Sequence, residues 1–124
     1  MKADEVYSQL IVELESVIDS KVLPMRWDDK NCGRMSQAMC YMMYAEMVMY
    51  QNDKTRYLKA LQYMQEIIGD TGNYDLVDDF ASIWKESGEW CKESIWEVNY
   101  EDGNNERGWN SPLAIGGTVL PTLI

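Results

Sequence analysis

A chain of 124 residues is one domain's worth, enough for a modest core. Its 21 acidic residues against 11 basic ones leave a formal net charge of −10. No Lys/Arg cluster exists to displace counterions from a phosphate backbone, so nucleic acid is excluded as a partner.

Histidine is absent, which removes the commonest metal ligand and the commonest general base together. The cysteines Cys32, Cys40 and Cys91 are odd in number and lack a CxxC pairing, so neither a disulfide framework nor a zinc site is expected. The opening stretch MKADEVYSQLIVELE has neither the apolar region nor the small-residue cleavage site of a signal peptide. No apolar run approaches the roughly 20 residues of a membrane span. The chain as given reads as soluble.

Over residues 4–20, Tyr7, Leu10, Ile11, Leu14, Val17 and Ile18 fall on one face of an amphipathic helix, with Asp4 as its expected N-cap and Pro24 beyond its end. The loop PMRWDDKNCG leads to Gly33, after which SQAMCYMMYAEMVMYQND (36–53) carries five Met, one Cys and three Tyr. Met35, Met39, Met42 and Met49 share one helical face while Tyr41, Tyr44, Ala45 and Val48 occupy the others, so this helix is apolar nearly all round. Such a helix is expected at the centre of the packing, with Met filling irregular gaps. Two other uses compete with this one: a thioether Cu(I) site at Met39, Cys40, Met42 and Met43, for which the spacing shows no dedicated cluster, and an apolar partner surface.

QND makes a turn, and residues 55–68 form a second amphipathic helix with Tyr57, Leu58, Leu61, Met64, Ile67 and Ile68 expected inward. The resulting αα-hairpin is close to the roughly 34-residue unit of a tetratricopeptide repeat, with Ala60 suited to a close crossing. GDTGNYDL is a Gly-rich exit. VDDFASIWKE reads as a short helix carrying Phe80, Ile83 and Trp84, and ESIWEVNY as a strand with Ile95, Trp96, Val98 and Tyr100. Trp84 and Trp96 are expected in the core. From Glu101 onward turn residues dominate. The fold class is thus mainly α: helical hairpins similar to tetratricopeptide repeats, with a short strand and a long C-terminal loop region. Residues 1–72 form the repeat-like part and residues 73–124 the short helix, strand and loop tail.

In this order the pieces resemble the SusD/RagB family. Gly33 and Arg34 open the Met-rich helix, Tyr57, Ala60 and Leu61 pattern the next, Gly72, Tyr74 and Leu76 mark its exit, and Glu93, Ser94 and Ile95 enter the strand. Family members are much longer, so the chain is similar to an internal segment. The resemblance implies a lipid-anchored, surface-facing outer-membrane glycan-binding protein that acts as a lid on a TonB-dependent transporter. The anchoring Cys, the lipoprotein signal and the other repeat helices of the family pattern are missing here, and Met stands where Ala and Leu are common.

Glycan recognition needs flat apolar faces for sugar rings and fixed donors and acceptors for hydroxyls. The stretch GNNERGWNS holds both: Trp109 is the candidate stacking ring, with Arg107, Asn105 and Asn110 as its hydrogen-bonding neighbours. The competing reading is that Trp109 covers an edge of the core. Trp90, beside Gly88 and Cys91 in an expected loop, is a further candidate contact, and Trp27 has no assigned place. EDGNNE places oxygen ligands at alternate positions but lacks the glycine and distal Glu of a calcium loop. With no nucleophile elbow, P-loop or dinucleotide fingerprint, the chain is expected to be non-catalytic and to use no cofactor. A different reading of the same helices is a small helical-repeat module for protein–protein interaction. If the Met-rich helix lacks neighbours, its exposed faces should also drive homo-oligomerisation.

Overall fold

A computed structural model describes residues 2–97. Three helices follow in chain order: α1 (Ala3–Ser20), α2 (Gln37–Gln51) and α3 (Tyr57–Gly69). Glu5 accepts the Lys2 backbone N–H at 2.9 Å, and Asp4 and Glu5 place negative charge at the positive end of α1. The helix therefore starts ahead of Asp4, the expected N-cap. Asp4 instead accepts a bond from the Gln51 side chain at 2.9 Å, tying the start of α1 to the end of α2. Ser36 caps α2 by accepting the Met39 N–H at 3.3 Å, and Asn52, at φ 57, ends it in the left-handed region that Asn tolerates.

The Met-rich helix occupies the middle, between α1 and α3, as its all-round apolarity requires. Its methionines are not the main filling, however. Ala38, Cys40, Tyr41, Tyr44 and Val48 form the buried side with Met39, whereas Met35, Met42 and Met49 are exposed. Three tyrosines make the centre: Tyr41 and Tyr63 stack with centroids 4.3 Å apart, and Tyr44 meets Tyr63 edge-on at 5.1 Å. Ile11 and Ile18 of α1 and Ala60 and Ile67 of α3 close the core.

The outer helices bury less than their stripes offer. Leu10 and Val17 of α1, and Leu58, Leu61 and Ile68 of α3, were expected inward but are exposed, Leu58 and Ile68 at 76 % each. Each flanking helix packs mainly on α2, so only the part of the stripe facing α2 is covered. Phe80 and Trp84, at 69 and 77 %, lie on a five-residue 3-10 turn (Phe80–Trp84) and meet each other edge-on rather than the core. Trp96 is likewise exposed. Residues 93–97 of the expected strand are irregular, linked to the rest by single bonds such as Val77 N–H to Glu93 Oε1 and Arg26 to the Ser94 carbonyl, so no ladder forms among the described residues.

A polar network straps α1 to the α2–α3 connection. Glu15 accepts from Tyr44 at 2.9 Å, Arg56 Nε at 3.2 Å and Lys59 at 3.5 Å. Asp53 accepts from Thr55, from Arg56 at 2.7 Å and from Tyr7 at 2.9 Å. For Asp53, the Thr55 bond first, then the Arg56 and Tyr7 bonds, hold the carboxyl well below the usual carboxylate range. For Glu15, burial pushes the pKa up, but the bonds from Arg56 and Tyr44 and the charge of Lys59 together bring it down.

A lowered folded-state pKa means that the unfolded chain takes up these protons first, so the stabilisation is full above the ordinary values of 4.5 and 3.8 and is lost as pH falls through and below them. Urea midpoints should therefore drop between pH 6 and pH 3, and Glu15→Gln should flatten that drop. An unchanged slope in the variant would show that Glu15 is not part of the strap.

Candidate functional site

Trp90 is the one candidate glycan residue within the described part of the chain; Trp109, Arg107, Asn105 and Asn110, and the calcium-like EDGNNE stretch, lie outside it. Trp90 follows a 3-10 turn (Glu86–Gly88) and sits in the left-handed region at φ 54, unusual for a bulky residue. Three handles fix it there. Its N–H donates to Glu97 Oε1 at 2.8 Å, its carbonyl accepts from Arg26, and its ring lies over Gly33, where a Cβ would stand 3.6 Å from the indole. Gly33 is itself at φ +83, which a side chain would strain.

Arg26, in the loop between α1 and α2, is the hub. Its guanidinium donates to the carbonyls of Asn73 at 2.9 Å, Cys91 at 3.0 Å and Ser94 at 3.5 Å as well as Trp90, and lies 5.1 Å from the Tyr74 ring centroid. Charge-assisted bonds to four carbonyls fold the segment 73–94 back onto the α1–α2 loop. Tyr74 adds a bond from its hydroxyl to the Met25 carbonyl at 3.1 Å. Beside this hub stands Trp27, whose indole N–H donates to the Met35 carbonyl at 2.8 Å and whose face receives Arg34, 6.0 Å from the centroid. Two indoles, Arg34 and Asp29 thus share one end of the molecule.

The enclosed space among Arg26, Asp29, Gly33, Ser36, Trp90 and Ser94 is about 20 Å³, room for about one water and not for a sugar. A pyranose can therefore meet these residues only on their outward faces. Larger spaces lie open to solvent, two grooves among them. One of about 410 Å³ runs between Ile67, Ile68, Leu76 and Ile95. The other, about 400 Å³, lies between Met42, Met43, Glu46, Glu93 and Trp96, with Glu93 already accepting the Val77 N–H at 2.9 Å.

The Cu(I) reading gains nothing from the geometry. Cys40 lies in the tyrosine core, and burial pushes its thiol pKa up, away from the thiolate that a soft metal needs. Sequence reasoning missed Arg26 and Glu97, whose roles are set by partners distant in the chain or by a backbone turn that no local pattern announces. No described helix is long and apolar enough to cross a membrane.

Helices paired in this way, with an aromatic and polar loop cluster at one end and no strand among the described residues, define a helical-repeat-like scaffold. No family model matches the chain, and no curated protein does. Solved structures match closely. Surface glycan-binding protein A from Bacteroides uniformis is 59% identical with a TM-score of 0.76, over 80% of this chain and 22% of that one. Surface glycan-binding protein A from Bacteroides thetaiotaomicron, in complex with laminarihexaose, is 54% identical with a TM-score of 0.82, over 91% of this chain and 24% of that one. The chain is a SusD-like segment, as its residues suggested, and it spans about a quarter of the length of the solved chains it matches.

Proposed function

We propose that the chain is part of a non-catalytic glycan-binding surface protein of outer-membrane nutrient uptake, a SusD-like lid on a TonB-dependent transporter. The observation that carries this reading is the 54% identical neighbour in complex with laminarihexaose. The candidate contacts are Trp90 at the loop cluster and Trp109, Arg107, Asn105 and Asn110 in the tail. Tryptophan emission should respond saturably to laminarihexaose, and Trp109→Ala should abolish most of the response. A folded Trp109→Ala chain with undiminished affinity would remove the tail from the site, and a silent wild-type chain would sink the glycan reading for this segment.

The exposed Leu58, Leu61 and Ile68 of α3, with the apolar groove beside them, support a second role in contact with protein: the transporter, the remainder of a longer polypeptide, or a second copy. In isolation the 124-residue chain should self-associate through these faces. Light scattering after size exclusion should give a dimer or larger, and a monomer mass across the whole concentration range would refute it.

A further inference from the structure

We propose that Arg26 is a positioning residue that presents Trp90 to a sugar ring; this rests on the glycan reading given above. Trp90 adopts a left-handed conformation, at φ 54, that a bulky side chain rarely takes. Strained residues persist only where their surroundings over-determine them, and they concentrate at binding and catalytic sites. The surroundings here are unusually explicit. Arg26 holds the Trp90 carbonyl together with those of Asn73, Cys91 and Ser94, while Glu97 holds its N–H at 2.8 Å.

The ring is left half-buried, resting on Gly33 by one edge, beside a second half-buried indole at Trp27. A preformed aromatic surface does not have to be ordered when a sugar arrives, which is the part of the binding cost that a clamp removes. The guanidinium suits this task because its fork of donors reaches several carbonyls at once, whereas an ammonium offers only three donors from a single point.

The test compares the wild-type chain with Arg26→Lys, Trp90→Phe and Glu97→Ala. Glu97→Ala frees the Trp90 N–H without touching the Arg26 bonds, and so serves if Arg26→Lys does not fold. Two readouts are taken: affinity for laminarihexaose, and the indole N–H resonance of Trp90 in the sugar-free chain. Arg26→Lys and Glu97→Ala should each displace that resonance while amide resonances of α1–α3 stay in place, and each should weaken affinity about tenfold, as should Trp90→Phe.

A purely structural Arg26 would lower the melting temperature without moving the Trp90 indole at temperatures where the helices are intact, and that result overturns the proposal. So does unchanged affinity in Arg26→Lys when Trp90→Phe has lost it, or unchanged affinity in Trp90→Phe itself; either leaves the glycan reading standing. A wild-type chain that ignores laminarihexaose ends the glycan reading and with it Trp90 as a sugar contact, while the indole resonance separately shows whether Arg26 fixes the residue.

Discussion

Tyr44→Ala should cost about 4 kcal/mol of stability, the range of large aromatic truncations in a sealed core. Tyr44 is 0 % exposed, meets Tyr63 edge-on at 5.1 Å, and donates to Glu15 at 2.9 Å. Truncation opens a cavity between all three helices and leaves Glu15 with only its cationic partners. For a chain of 124 residues, about 4 °C of melting temperature goes with each kcal/mol, so a fall of about 15 °C is expected. Tyr44→Phe keeps the ring and loses one hydrogen bond, which should cost only about 1 kcal/mol. Urea and thermal denaturation followed by circular dichroism separate the two; equal losses would mean that the hydroxyl, and not the ring, matters at this position.

Gly88→Ala should break the loop that carries Trp90 while sparing the helices. A Cβ at this buried position would stand 2.0 Å from the Ser82 carbonyl oxygen and 2.8 Å from its carbon. These are backbone atoms, so no side-chain rotation relieves the clash, and the two 3-10 turns at Phe80–Trp84 and Glu86–Gly88 must separate. An overpacking cost of about 3 kcal/mol is expected, the upper end of the usual range. Because this segment lies outside the three-helix core, the change should appear as lost amide protection over residues 80–91 with protection of α2 nearly intact. Unchanged exchange in the loop would contradict the close approach.

The helical part was largely legible, and the reasons are physical. α2 announced its central place because it has no polar side to turn to water. The stripes of α1 and α3 gave the right helices but the wrong depth: Leu58 and Ile68 belong to the stripe, yet a periodicity cannot say how wide a neighbour will cover it. Tyr63 was overlooked because tyrosine is at home on either side of a boundary, and only the stacking on Tyr41 places it inside. Trp84 and Trp96 are expected in the core because they sit in periodic segments, but the structure forms only a short turn and an irregular stretch there, and both stay in solvent, as does Phe80. The site was far less readable. Trp90 is legible as a candidate because it falls beside Gly88 and Cys91 in an expected loop, but its backbone conformation leaves no mark in the sequence. Arg26 looked like one more polar residue of a turn, because its partners lie 47 to 68 positions away.

That long reach also orders the assembly of the chain in time. The hairpin of α2 and α3 closes over a short connection, and α1 joins it across one loop, so these contacts need little chain entropy to form. The Arg26 bonds to Trp90, Cys91 and Ser94 span 64 to 68 positions, against 41 to 47 for the bonds that strap α1 to the α2–α3 connection, and they can form only when both the α1–α2 connection and the segment through Ser94 are in place. On a ribosome the three helices can gather while the chain near Trp90 is still being delivered. The Trp90 segment is then the last piece to set, laid down on a scaffold of helices already in place.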